Sequence, residues 1–151
     1  MSSPDTEQPR RQRLTREERQ RQLIETAWRI VGEEGTDALT LGRLAERAGV
    51  AKPVVYSHFT TRSGLLIALY RDFDGREYAI MEAALDGSEA TLAGKAGAIA
   101  SSYVDCVLAQ GREIPGVVAA LAGSPELAAV KRDCDVIFLE RCRGLLAPFA
   151  N

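Results

Sequence analysis

A chain of 151 residues forms one domain or two small ones, and 46% hydrophobic with 26% charged residues excludes a disordered polymer. The net charge of −2 selects no partner by itself. Its distribution does: residues 1–71 hold 12 Lys+Arg against 9 Asp+Glu and residues 72–151 hold 7 against 12, so only the N-terminal half offers positive charge to phosphates. Aromatic and β-branched runs are sparse while Ala, Leu, Glu and Arg dominate, which predicts an all-α fold. No apolar run approaches a membrane span, and no secretion-signal core follows the N-terminus. Three cysteines, Cys106, Cys134 and Cys142, are an odd number, and the reading is reduced thiols in a cytoplasm that pack as small hydrophobes.

Residues 1–14 carry two prolines and three arginines. They read as a disordered basic arm, either a plain tail or an extension reaching DNA. Thr15-Arg16-Glu17-Glu18 is a capping box that opens a helix over about 16–34. Its inner stripe is Leu23, Ala27, Ile30 and Val31, with Ile24 and Trp28 alongside. Leu41, Leu44, Ala45 and Ala48 repeat at helical spacing over 41–48. Gly49 breaks that run where a left-handed backbone suits glycine. A further helix over 53–59 starts near Lys52-Pro53, because proline suits a first helical turn. Thr61 caps the next helix, about 62–85, with Leu65, Leu66, Leu69, Tyr70 and Phe73 as core contacts. Gly42 and Gly64 fall inside these helices and weaken them by up to ~1 kcal/mol each against Ala.

Asp86-Gly87-Ser88 reads as a break. A helix over about 91–111 carries Tyr103, Cys106 and Val107. Ile114-Pro115-Gly116 interrupts it, and a short apolar segment covers 117–121. Ser124 with Pro125 opens a last helix over about 125–147, with Leu127, Val130, Cys134, Ile137 or Phe138, and Leu145 on one face.

A small apolar helix, a glycine turn and a polar-faced helix carrying Lys52, Tyr56, Ser57 and His58 form the layout of a DNA-reading helix-turn-helix. Residues 15–73 resemble the N-terminal domain of the TetR family of bacterial transcriptional regulators. The resemblance rests on an amphipathic helix ending near Gly35, on Thr40, on Ala48-Gly49-Val50, on Tyr56-x-His58-Phe59, and on Arg62 followed by Leu65-Leu66. It implies a three-helix DNA-binding domain joined through a long helix to a helical regulatory domain over 74–151, which is expected to bind a ligand and dimerise. Regulators of this family are longer, with about nine helices. Seven are expected here, so the dimer-forming segment is either missing or built otherwise.

On this reading Lys52, Pro53 and Val54 sit at the leading end of the recognition helix, where side chains approach bases. The resemblance implies phosphate contacts for the positions of Tyr56, His58 and Arg62. Thr40 adds a hydroxyl at a helix N-terminus. One helix-turn-helix reads only a few base pairs, so a homodimer on a palindromic operator in double-stranded DNA is expected, acting as a repressor released by a small molecule. Tyr103, Cys106, Val107, Gln110, Val118, Leu121 and Phe138 are candidates to line a ligand cavity, or else ordinary core. No phosphate loop, HExxH or GxSxG occurs, so an enzyme is not expected. His58 is the single histidine, so no metal site or cofactor is expected. The alternative is a helical protein–protein module whose helix-turn-helix no longer reads DNA. The basic N-terminal half speaks against it.

Overall fold

The computed structural model describes residues 13–150, so most of the expected basic arm lies outside the described residues. The described residues contain seven α-helices, two short 3-10 turns and no strand. The helices are α1 (Arg16–Glu34), α2 (Leu41–Ala48), α3 (Lys52–Phe59), α4 (Arg62–Asp86), α5 (Leu92–Glu113), α6 (Pro115–Leu121) and α7 (Pro125–Leu146). The predicted boundaries agree with these within about two residues, because most ends are set by local caps.

The Thr15 hydroxyl accepts from the Glu18 N–H at 3.1 Å, and the Glu18 carboxylate accepts from the Thr15 N–H at 2.7 Å. Thr40, Thr61, Thr91 and Ser124 each accept from an N–H three residues on, satisfying a donor that the helix start leaves open. Between α2 and α3, Gly49 is left-handed at φ 66°, and the Val50 N–H reaches back to the Ala45 carbonyl at 3.1 Å. That bond caps α2 and swings the chain into α3. Gly64 has a steric reason of its own, since a Cβ there would collide with the Phe59 carbonyl. Its helix-propensity cost is accepted because α3 and α4 meet there.

One buried cluster holds the fold together. Leu23, Ala27 and Ile30 of α1 meet Leu39, Leu44, Val55 and Leu65, all essentially inaccessible. Burying each such leucine contributes roughly 1.5–3 kcal/mol. The cluster continues along α4 through Leu69 and Phe73 to Ile114, Val117 and Leu121, then to Leu127 and Val130. The helix-turn-helix and the C-terminal helices are thus welded along α4.

The C-terminal half is covered on one side only. Ala109 is the single buried residue of α5, and α7 buries only Leu127 and Val130. Tyr103, Val104, Val107 and Leu108 on α5, with Val136, Ile137 and Leu139 on α7, are at least half exposed. Of the two expected alternatives on α7, Phe138 is half-buried and Ile137 is exposed. The three cysteines are free and half-buried, and Cys106 and Cys134 pack against the core as small hydrophobes.

Candidate nucleic-acid interface

The α2–turn–α3 unit sits on α1 and α4 through a few apolar anchors. Val55 is inaccessible and Phe59 is 5% exposed, and these two pin α3 by one edge. Residues between and before them point outward: Lys52 and Pro53 are exposed, Val54 is half-buried, and Tyr56 is 50% exposed. The exposed edge of α3 therefore carries a cation, a phenol and small apolar groups, a mix suited to base edges and phosphates. The Lys52 side chain leans back over the start of α2, within ordinary contact distance of a Cβ built on Gly42. Thr40 caps α2, and its hydroxyl accepts from the Arg43 N–H at 3.0 Å while the residue stays exposed.

The two arginines of α2 are tied up internally. Arg43 and Arg47 of α2 both bind Glu34, at 2.9 and 2.6 Å, and Arg47 also binds Glu33 at 2.7 Å. The hydrogen bond from Arg43 leads the interactions that hold the Glu34 carboxyl below its ordinary pKa. These pairs clamp α2 to the end of α1, so the arginine count overstates the charge free to meet DNA.

His58 and Arg62 have internal partners that the sequence did not reveal. The His58 Nδ1 is hydrogen-bonded to Gln20 Oε1 on α1. Burial, then the charges of Arg16 and Arg19, lower its pKa. The neutral tautomer that donates from Nδ1 leaves Nε2 as an acceptor, so a phosphate contact there requires the protonated ring. The Arg62 guanidinium donates to the Leu39 and Thr36 carbonyls at 2.8 and 2.9 Å. It thereby fixes the 3-10 turn Thr36–Ala38 that leads into Thr40 and α2.

A second joint links α1 to α4 and α5. Trp28 Nε1 donates to Asp72 at 2.7 Å, and Arg21 donates to the other Asp72 oxygen at 2.8 Å. Burial pushes the Asp72 carboxyl up, but the hydrogen bonds from Arg21 and Trp28 outweigh it and hold its pKa below the usual range. Arg76 lies over the Trp28 ring at 5.4 Å and reaches Glu113 at the end of α5 at 3.8 Å.

The candidate ligand residues divide. Tyr103, Cys106, Val107, Gln110 and Phe138 line one cleft of about 360 Å³ between α4, α5 and α7. Val118 and Leu121 do not line it. Leu121 is 1% exposed in the core and Val118 packs against that core, because α6 turns its apolar face onto α4. The cleft wall that the sequence reading missed is α4 itself, with Tyr70, Phe73, Asp74, Glu77 and Tyr78. Its signal was present: Tyr70, Asp74, Glu77 and Tyr78 recur three and four apart, one face of a helix. No group of His, Cys, Asp and Glu among the described residues has the makings of a metal site.

A helix, a glycine turn and a short second helix pinned by two apolar residues, with a cationic and aromatic outer edge, have the layout of a helix-turn-helix of the kind that reads nucleic acid. Residues 23–69 match the sequence model of bacterial regulatory proteins, tetR family. Over these residues the chain is similar to the N-terminal helix-turn-helix domain of that family. It is 40% identical over 57 residues to the HTH-type transcriptional activator FasR of Mycolicibacterium smegmatis, covering 38% of this chain and 26% of that protein. It is 45% identical over 47 residues to the class C tetracycline repressor protein of Escherichia coli, covering 31% of this chain and 22% of that one. The matches thus span about a quarter of those relatives' own length. A protein of unknown function from Rhodococcus sp. RHA1 shares the fold at a TM-score of 0.68 and 24% identity, over 93% of this chain and 71% of that one.

Proposed function

We propose that the chain is a DNA-binding transcription regulator that acts in the cytoplasm as a homodimer on a palindromic operator. The observation that carries this is the outer edge of α3. Lys52 and Pro53 are exposed, Tyr56 is half exposed, and the helix is held rigidly from behind by Val55 and Phe59. Lys52, Pro53 and Val54 read base edges. Tyr56, His58, Arg62 and Thr40 hold the register on phosphates. Residues 15–73 are the DNA-binding unit and residues 74–151 the regulatory one. The exposed apolar side chains of α5 and α7 support pairing with a second copy, and no helix among the described residues is long and apolar enough to cross a membrane.

A small molecule bound in the cleft acts on the DNA-binding half through two contacts. Arg76 ties the end of α5 to Asp72 and Trp28, and α6 packs on the turn before α2. A ligand that favours the arrangement with the recognition helices misaligned releases the operator, by no more than its differential affinity for the two states. Repression is the sign of control that such release implies. Selection of bound DNA from a random pool tests the reading. The expected result is a palindrome with half-sites one or more helical turns apart, about 34–36 Å per turn. Recovery of unselected sequence overturns it.

A further inference from the structure

The cleft between α4, α5 and α7 carries a charge pattern that its size and shape alone do not require. Asp74 and Glu77 lie one helical turn apart on α4, half-buried, and both line the cleft. Neither has an ion-pair partner among the described residues, although neighbouring Asp72 has two. Half-buried carboxylates facing a cavity without a counter-charge are costly unless something cationic arrives. Around them stand aromatic faces: Phe73, Tyr78, Tyr103 and Phe138, the last two 5.9 Å apart and tilted. The cleft already holds one organic cation of its own. The Arg141 guanidinium sits 4.1 Å over the Tyr78 ring, at the exposed rim.

Taking the cleft to be the ligand site of the function proposed above, we propose that its ligand is a lipophilic organic cation. Its charge lies against Asp74 and Glu77, and its apolar groups lie on the Tyr103 and Phe138 rings. Aromatic faces and carboxylates attract the same sign of charge, so the two features reinforce each other. Titratable groups around the cleft feel the same field. Burial with Glu113 and Asp105 pushes the Glu77 carboxyl up, and burial with Asp74 pushes the Cys134 thiol to about 11. The volume, about 360 Å³, is that of a site for a drug-sized molecule. Arg71 and Arg141 are both exposed and offset the inner carboxylates only at the rim.

The test uses two ions of the same shape and opposite charge, tetraphenylphosphonium and tetraphenylborate, titrated calorimetrically into the full chain without DNA. The expected result is tighter binding of the phosphonium by tenfold or more. In Asp74→Asn and Glu77→Gln, near-isosteric changes whose folding is checked by melting, the phosphonium weakens by about tenfold each and the preference narrows. Equal or tighter binding of the borate, binding of neither ion, or a preference untouched by both substitutions overturns the proposal. A second titration with operator DNA present separates it from ligand control. Charge-selective binding that leaves the DNA complex intact keeps the cation site and refutes release by this ligand.

Discussion

The Arg62 guanidinium donates to the Leu39 carbonyl at 2.8 Å, across 23 residues of sequence. With its second bond, to Thr36, it holds the turn that delivers Thr40 to the start of α2. The arginine proposed above to hold a phosphate is therefore also the latch of the domain. Arg62→Ala should cost about 1–3 kcal/mol in urea unfolding, because two carbonyls lose a charged donor. Arg62→Lys should recover little, since one ammonium cannot span both oxygens. Affinity should fall for all DNA sequences. A direct phosphate contact adds a drop of about one unit in the salt slope, and a purely internal latch leaves the slope unchanged.

Lys52 should behave differently from Arg62. Its side chain leaves the exposed start of α3 and has no ion-pair partner among the described residues. Lys52→Ala should leave the melting temperature unchanged. It should relax preference at one base position of each half-site, with a loss of about 1–3 kcal/mol on the best sequence. A binding profile over single-base variants of the selected operator measures this.

The phosphate contact proposed for His58 predicts DNA binding that is sensitive to pH in a defined direction. Its pKa in the free protein lies below the ordinary 6.5. A phosphate at Nε2 favours the charged ring and raises the pKa in the complex, so binding takes up a proton. Affinity should therefore rise as pH falls from about 7.5 to about 6, and His58→Gln should flatten that dependence. Stability moves the other way. A depressed pKa in the folded state means that the contribution of neutral His58 is present above about 6.5 and is lost as pH falls towards the folded value.

Asp72 accepts from Trp28 at 2.7 Å and from Arg21 at 2.8 Å, and its side chain is only 13% exposed. Asp72→Asn should cost about 1–3 kcal/mol, since the hydrogen bonds lose their charge assistance. The folded carboxyl has a lowered pKa, so its contribution is present above the unfolded value near 3.9 and is lost as pH falls through the folded one. Acid unfolding followed by Trp28 fluorescence should therefore be shallower in the variant.

Gly116 packs against the turn before α2, where an added Cβ would collide with the Thr36 hydroxyl and come within 3.0 Å of its Cβ. Gly116→Ala should force α6 away from that turn at a cost of about 1–3 kcal/mol. The loss should be smaller when Thr36→Ala removes the hydroxyl, giving a favourable coupling in the double-mutant cycle. Additive losses would place the strain elsewhere.

Helix positions were legible because their ends are local. Thr15, Thr40, Thr61 and Ser124 cap the helices that follow them, and Gly49, Pro115 and Pro125 shape the turns. Each works within one turn of helix, which a linear reading captures. The outer edge of α3 was legible only in part: Val55 and Phe59 repeat at helical spacing and leave Ser57 on the opposite face, whereas Lys52 shares their angular position and is exposed because it opens the helix. What only the tertiary structure decided was partnership at a distance. Gln20 meets His58, Trp28 meets Asp72, and Arg62 meets the Thr36–Leu39 turn, at separations of 23 to 44 residues. It also decided which apolar faces are covered, sending Val118 and Leu121 to the core and bringing Asp74 and Glu77 to the cleft. Periodicity shows that a helix has an apolar face, but the helix that covers that face is chosen by packing between segments far apart in the chain.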